Sequence, residues 1–457
     1  MTNIMRKIMR RSSLSLRAIV VAVLLIAAGP ASAVTIERVV SPKGIEAWLV
    51  QDRSVPVISL QFAFHGGAAL DPAGKEGLSN LVAGLLDEGA GNLDSQAFQR
   101  RLEDSAVSLS FNASLDSFGG SLRTLKRNEA VGFDLLRMAL NEPRFDASAV
   151  DKVKTQTRAW LSGAAENPRR IAGRVLSRAA FGDHPYGRST EGTRASVEGL
   201  TRADLENFVK QRFARDRLVI GVVGDITPAQ LSDRLDALFG GLPASSAPVA
   251  LPTVVPALTG QVYVVEKKIP QSVVTFAQAG LSRQDPDYYI AYVMNQAFGG
   301  GGLGSRLMEE VRDKRGLAYG VYTSLAPYDF SALYSGSVAT QNDRVGESID
   351  IIRAEWARLR DQGLTEKELA DTKTYLTGSF LTNIDSTGRM ASLLVGIQLE
   401  KLGIDYLDKR NSLIEAVTLA DVSRVAQRLL EPAKLAFVVV GQPRGVTATA
   451  AASTIED

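Results

Sequence analysis

The hydrophobic pattern changes period several times along this chain, and each change predicts an element. Alternating and β-branched positions over residues 44–50 and 57–64 predict two strands, with residues 51–54 as the turn between them. Over residues 76–89 the period becomes helical. Leu78, Leu81, Val82, Leu85 and Leu86 form one stripe, and Asn80, Ala83, Gly84 and Asp87 fall off it. Residues 109–115 and 118–122 predict a hairpin, 130–140 and 149–165 two helices, and 218–224 a buried strand. Further on, strands are expected over 262–265 and 273–276, and helices over 290–298, 347–362, 366–380 and 392–402.

One stretch, residues 298–322, is denser in signals than the rest. Gly299, Gly300, Gly301 and Gly302 open it. Leu303, Leu307 and Val311 follow at helical spacing, with Glu309, Glu310 and Arg312 turned elsewhere. Gly316 is placed for a left-handed helix stop, and residues 317–322 alternate like a strand. Arg312 at the helix end and Tyr319 on the strand can both donate to one carbonyl oxygen. The plain alternative is an arginine capping a helix end and a half-buried strand tyrosine. The glycine run lacks the Gly-Lys-Ser/Thr ending of a phosphate loop, so it is read as a loop bringing backbone close to a substrate or partner, through Gly300, Gly301 and Gly302. Of the neighbouring arginines, Arg315 is expected to point to solvent.

An internal repeat sets the organisation. Thr201 matches Thr418, Asp204 matches Asp421 and Gly224 matches Gly441, all at one offset: 418 − 201 = 421 − 204 = 441 − 224 = 217. Two homologous halves, 34–241 and 261–445, are therefore expected. A charge-free segment over 242–260, rich in Pro, Ala and Ser, is read as an exposed linker, and 446–457 as a flexible tail.

Composition narrows the chemistry. The 457 residues include no cysteine and only two histidines, His65 and His184, so there is no disulfide framework and no thiolate metal site. Residues 1–33 hold Arg6, Lys7, Arg10, Arg11 and Arg17, an apolar run and Ala31-Ser32-Ala33, the pattern of a cleaved secretory signal peptide. Its removal takes the formal charge from +2 to 2 − 5 = −3. That argues against nucleic acid and leaves no membrane anchor, and it predicts a periplasmic or secreted protein.

The string Gly-Gly-Gly, Ser305-Arg306-Leu307, Arg312 and Gly316-Leu317-Ala318-Tyr319 resembles the C-terminal half of the insulinase/pitrilysin-type zinc peptidases and their mitochondrial processing relatives. The resemblance covers essentially the whole mature chain. It implies an α+β fold of two homologous halves, each of two similar α/β-sandwich lobes, forming a clam-shell chamber. It also implies an inverted zinc motif, H-x-x-E-H, on the first-half helix. There this chain reads Asn80-Leu81-Val82-Ala83-Gly84, without either histidine or the glutamate. The third ligand position, upstream of Glu166-Asn167-Pro168, falls near Trp160, and no acid is there. His184, in another family-like segment, is read as a turn residue. The expectation is a chain with no cofactor of its own, inactive alone. It would be the non-catalytic subunit of a heterodimeric zinc peptidase that cleaves small unfolded peptides. Arg312 and Tyr319 would reach the substrate at a zinc held by a homologous partner. The alternative is a catalytically silent peptide-binding or structural homologue.

Overall fold

The computed structural model describes residues 34–246, 251–380, 382 and 384–452. The expected signal peptide (1–33), residues 247–250 of the expected linker and residues 453–457 of the expected tail lie outside the described residues.

The strands are β1 (Glu37–Val40), β2 (Glu46–Gln51), β3 (Val57–His65), β4 (Gly89–Ala90), β5 (Leu93–Asp94), β6 (Ser108–Ala113), β7 (Ser117–Leu125) and β8 (Leu218–Gly224) in the first half. In the second they are β9 (Val262–Glu266), β10 (Gln271–Ala279), β11 (Ala318–Pro327), β12 (Ala332–Gln341) and β13 (Ala436–Gly441). β4 and β5 form a small ribbon. The others make two mixed sheets, ordered β1-β2-β8-β3-β7-β6 and β9-β13-β10-β12-β11. From β2 onward the two orders correspond strand for strand. β8 runs parallel to β2 and antiparallel to β3; β13 runs parallel to β9 and antiparallel to β10.

The repeat seen in sequence is therefore a repeat of structure. Thr201 and Asp204 form a reciprocal capping box on one helix, and Thr418 and Asp421 form it on its counterpart. Gly224 and Gly441 close β8 and β13 with φ of +141° and +154°. A Cβ there would fall 2.1 Å from the Val57 carbonyl oxygen or 2.2 Å from the Ser272 hydroxyl, so only glycine fits. The chain is two-lobed, with one sheet to each half where two lobes per half were expected.

The lobes are joined by an exchange of helices. In β13, Phe437 and Val439 enter the core of their own half. Ala436, Val438 and Val440 face the other way and pack with Ala172, Val175 and Leu176 of the first-half helix Pro168–Phe181. In return, the second-half helix Thr387–Leu399 lies across β3 and β8. Its Thr387 hydroxyl is 2.8 Å from that of Ser59, and Gln398 donates to the Ile220 carbonyl at 3.0 Å. The offset of 217 maps 168–181 onto 385–398, so the exchanged helices are repeat counterparts. Each sheet thus has one face covered by its own half and the other covered from across the repeat. The uninterrupted apolar run of β13 follows from burial on both faces.

Residues 251–260 of the expected linker are tied down at points: Val254 and Ala257 donate backbone hydrogen bonds to Phe330 and Ala180, and Leu258 is buried, while Val255 is 78% exposed. One expectation is corrected. The helix predicted over 76–89 is only Leu78–Ala83, stopped at Gly84. Leu85 and Leu86 are buried in the turns beyond it.

Candidate functional site

In the first half, the positions that resemble a zinc motif are spent on packing. Asn80 donates from Nδ2 to the Thr190 carbonyl oxygen at 2.6 Å. Ala83 is buried, and a Cβ at Gly84 would come within 3.1 Å of Val153. Trp160, on the helix Ala147–Glu166, has the Arg170 guanidinium 4.2 Å above its ring. Among the described residues, no group of three or more His, Cys, Asp or Glu side chains could hold a metal ion. The residues present do not fit a zinc ion: one amide is already engaged, and an alanine, a glycine and a cation-covered indole offer no donor.

The two histidines are placed elsewhere. His184 lies with Nε2 3.0 Å from the Pro252 carbonyl oxygen, and its Nδ1 accepts from the Tyr186 backbone at 3.2 Å, a turn role. His65 ends β3 in a cavity of about 180 Å³ with Asp116, Arg217 and Asp329. Burial, then the nearby Lys401 and Arg217, push its pKa down.

The second half builds its site from two irregularities. The short helix Arg306–Met308 runs on as a π turn, Glu309–Asp313, in which Lys314 donates back to the Glu309 carbonyl at 2.9 Å. Glu310, expected to turn away from the Leu307–Val311 stripe, is buried beside it, and Leu303, in the separate turn Gly302–Gly304, is 67% exposed. Lys314 and Arg315 hydrogen-bond the Glu310 carboxylate at 2.8 and 2.6 Å and hold its pKa below the usual carboxylate range. Arg315 is exposed at the surface, as expected, but its guanidinium is tied to Glu310. Arg312 has no such partner: among the described residues its nearest carboxylate is Asp313, at 4.0 Å.

Tyr319 sits at the second irregularity. The β11–β12 register shifts between Ala318 and Val321, so Tyr319 and Gly320 bulge from an edge strand. Tyr319 is 87% exposed, and no described residue hydrogen-bonds its hydroxyl. The Arg312 guanidinium carbon lies 5.5 Å from the centre of its ring. Residues seven apart in sequence are thus brought together, with their polar ends directed away from the core.

Most of the neighbouring glycines are required by the chain itself. A Cβ at Gly300 would meet the Asn295 amide at 2.6 Å, and one at Gly301 the Gln296 carbonyl oxygen at 2.5 Å. Gly302, at φ +67°, faces open space.

The insulinase (peptidase family M16) pattern matches residues 48–194, and the peptidase M16 inactive-domain pattern matches residues 199–376. The chain belongs to the M16 insulinase family. Among its M16 relatives, the non-peptidase homolog YmxG of Helicobacter pylori is 29% identical over 330 residues, 72% of this chain and 76% of that one. A probable mitochondrial-processing peptidase subunit beta of Schizosaccharomyces pombe is 25% identical over 398 residues, 83% of this chain and 85% of that one. A crystal structure of a peptidase M16 inactive domain from Pseudomonas fluorescens superimposes with a TM-score of 0.83 at 26% identity, covering 90% of this chain and 98% of that one. In this M16 chain the H-x-x-E-H positions of the first half carry none of the motif's histidines or its glutamate.

Sequence reasoning missed the π turn, the bulge and the inward role of Glu310. It also missed the helix Pro168–Phe181. The signal for that helix was present: Asn167 caps it, accepting from Arg169 and Arg170 at 3.0 and 3.3 Å, with Pro168 at the first helical position.

Proposed function

We propose that this chain is the zinc-less subunit of a heterodimeric M16 peptidase. In this reading it supplies Arg312 and Tyr319 to substrate held at the zinc of a homologous partner. The supporting observation is the state of the pair: an arginine not drawn into the Glu310 cluster, stacked on an exposed tyrosine with an unengaged hydroxyl, on an edge strand. A merely structural pair would be expected to bury its ring or satisfy its donors.

The chemistry follows from placement. Attack on a peptide carbonyl moves negative charge onto its oxygen. A guanidinium and a phenol poised opposite the metal donate to that oxygen more strongly as the charge develops, which lowers the barrier. The partner's zinc would supply the activated water. This chain would orient the carbonyl and stabilise its charge, with Gly302 leaving room for an extended peptide. Small unfolded peptides are the proposed substrates. The site of action is proposed to be periplasmic or extracellular, on the strength of the signal-like residues 1–33. Mass spectrometry of the exported protein should find Val34 at its start; a start far from there contradicts the export reading.

The second reading, a silent peptide-binding or structural homologue, is favoured by the likeness to YmxG of Helicobacter pylori, a non-peptidase homolog. Peptide cleavage by the co-purified complex, with and without Arg312→Ala, separates the two. A loss in turnover with assembly intact supports the first reading, and unchanged turnover supports the second.

A further inference from the structure

The lost zinc positions lie beside a cavity of about 210 Å³ with a chemistry opposite to that of a metal site. Trp160 forms one wall. Thr190, whose carbonyl oxygen accepts from Asn80, lies on another. Three guanidiniums line the space: Arg170, Arg174 and Arg188. Arg170 is stacked on Trp160, and Arg174 is anchored by its own contacts within the protein. Arg188 lies 3.9 Å from Glu76. The one lining carboxylate, Glu191, accepts from the Ser189 hydroxyl at 3.2 Å. With Glu76 beside Arg188 counted together with Glu191, guanidiniums still outnumber these carboxylates, three to two, where catalytic relatives would need ligands for a cation.

We propose that this cavity binds the carboxylate of an acidic peptide, a side-chain or terminal group, between Arg170, Arg174 and Arg188. The inference goes beyond the proposed function, since it concerns the other half of the chain and needs no partner. Planar forks of N–H donors match a carboxylate with two parallel hydrogen bonds. Trp160 and Leu115 give the aliphatic stem an apolar surface. The volume lies below the roughly 300–1,000 Å³ of pockets for cofactors and drug-sized ligands, so it suits one side chain rather than a nucleotide.

Trp160 provides the readout, because Trp48 and Trp356 are buried. The full chain is titrated with an acetylated, amidated tripeptide centred on glutamate and with its glutamine analogue, following tryptophan emission and heat. Acetate and inorganic phosphate are titrated separately. The expected result is saturable binding of the glutamate peptide, weakened about tenfold or more in the glutamine analogue, as for loss of a charge-assisted hydrogen bond. Acetate should compete only weakly. Arg170→Gln and Arg188→Gln should each weaken binding with an unchanged melting temperature. Trp160→Phe should remove the emission change but not the heat. Equal binding of the two peptides, or none by the wild type, overturns the proposal. Tight phosphate binding that excludes the peptide also overturns it and marks a site for a free anion.

Discussion

The Arg312 guanidinium carbon stands 5.5 Å from the centre of the Tyr319 ring, with the tyrosine 87% exposed. A π turn sets the arginine and a β-bulge sets the tyrosine. Irregularities of this kind recur at functional sites because they re-aim individual side chains.

In a complex with a zinc-bearing homologue, Arg312→Ala should lower kcat by about 10²–10³, the effect of removing one oxyanion donor. Tyr319→Phe should act in the same direction. The two would serve one oxygen, so the double variant should lose less than the product of the single losses. Stability should stay within about 0.5 kcal/mol of the wild type, as expected for an exposed position. Steady-state peptide cleavage and urea denaturation measure the two quantities.

Arg315→Ala should behave in the opposite way. It removes two hydrogen bonds to Glu310, one to the backbone carbonyl and one to the carboxylate, whose side chain is only 9% exposed. Lys314 and Arg358 remain nearby. A stability loss of about 1 kcal/mol is expected, with activity retained once folded. An unfolding midpoint equal to the wild type would show that Arg315 is not a structural partner.

The exchanged helices predict an overpacking variant. A Cβ at Gly221 would fall 2.6 Å from the Ala391 carbonyl oxygen and 2.8 Å from the Leu394 Cβ. Gly221→Val should push the Thr387–Leu399 helix off β8 and cost about 1–3 kcal/mol. Chemical denaturation would show it as a lower midpoint, and an unchanged midpoint would argue that the helix does not seat on that sheet in solution.

Much of this architecture was legible in the chain. The offset of 217 gave the repeat because caps and strand ends are fixed by local chemistry: Thr-x-x-Asp boxes, and glycines where a Cβ cannot fit. The exchange of helices was not legible. Periodicity says that β13 is buried on both faces but not which helix buries it, and Val175 and Leu176 are as apolar as residues facing their own half. At the site, Arg312 and Tyr319 could be named from the matched string. Their contact depends on a one-residue π insertion and a bulge, neither of which changes composition or period. Glu310 stands three residues from Leu307, where helical spacing allows burial; its charge argues for the surface, and the sequence does not show that Lys314 and Arg315 compensate it.

The acid side of the stability curve should report the Asp285–Asp287 cluster. Hydrogen bonds from Arg424, with Arg428 in support, hold the Asp287 carboxyl below its usual range, and Arg428 does the same for Asp285. A depressed folded-state pKa contributes stability that is present above the unfolded value, about 3.9, and is lost as pH falls through the folded value. Arg428→Gln should cost about 1 kcal/mol at pH 7, at the low end because Arg428 is half-exposed. The gap to wild type should close below about pH 4. Thermal unfolding from pH 3 to 7 tests this, and a gap constant with pH would contradict it.

The central claim is that this chain has no metal of its own and completes the site of a partner that has one. The direct test measures zinc content and peptide cleavage for three samples: this chain, a homologue from the same cell with an intact H-x-x-E-H motif, and the two mixed. The account predicts zinc only in the homologue and efficient cleavage only in the mixture, lost with Arg312→Ala. One tightly held zinc per molecule of this chain, or full cleavage by the homologue alone, would contradict it.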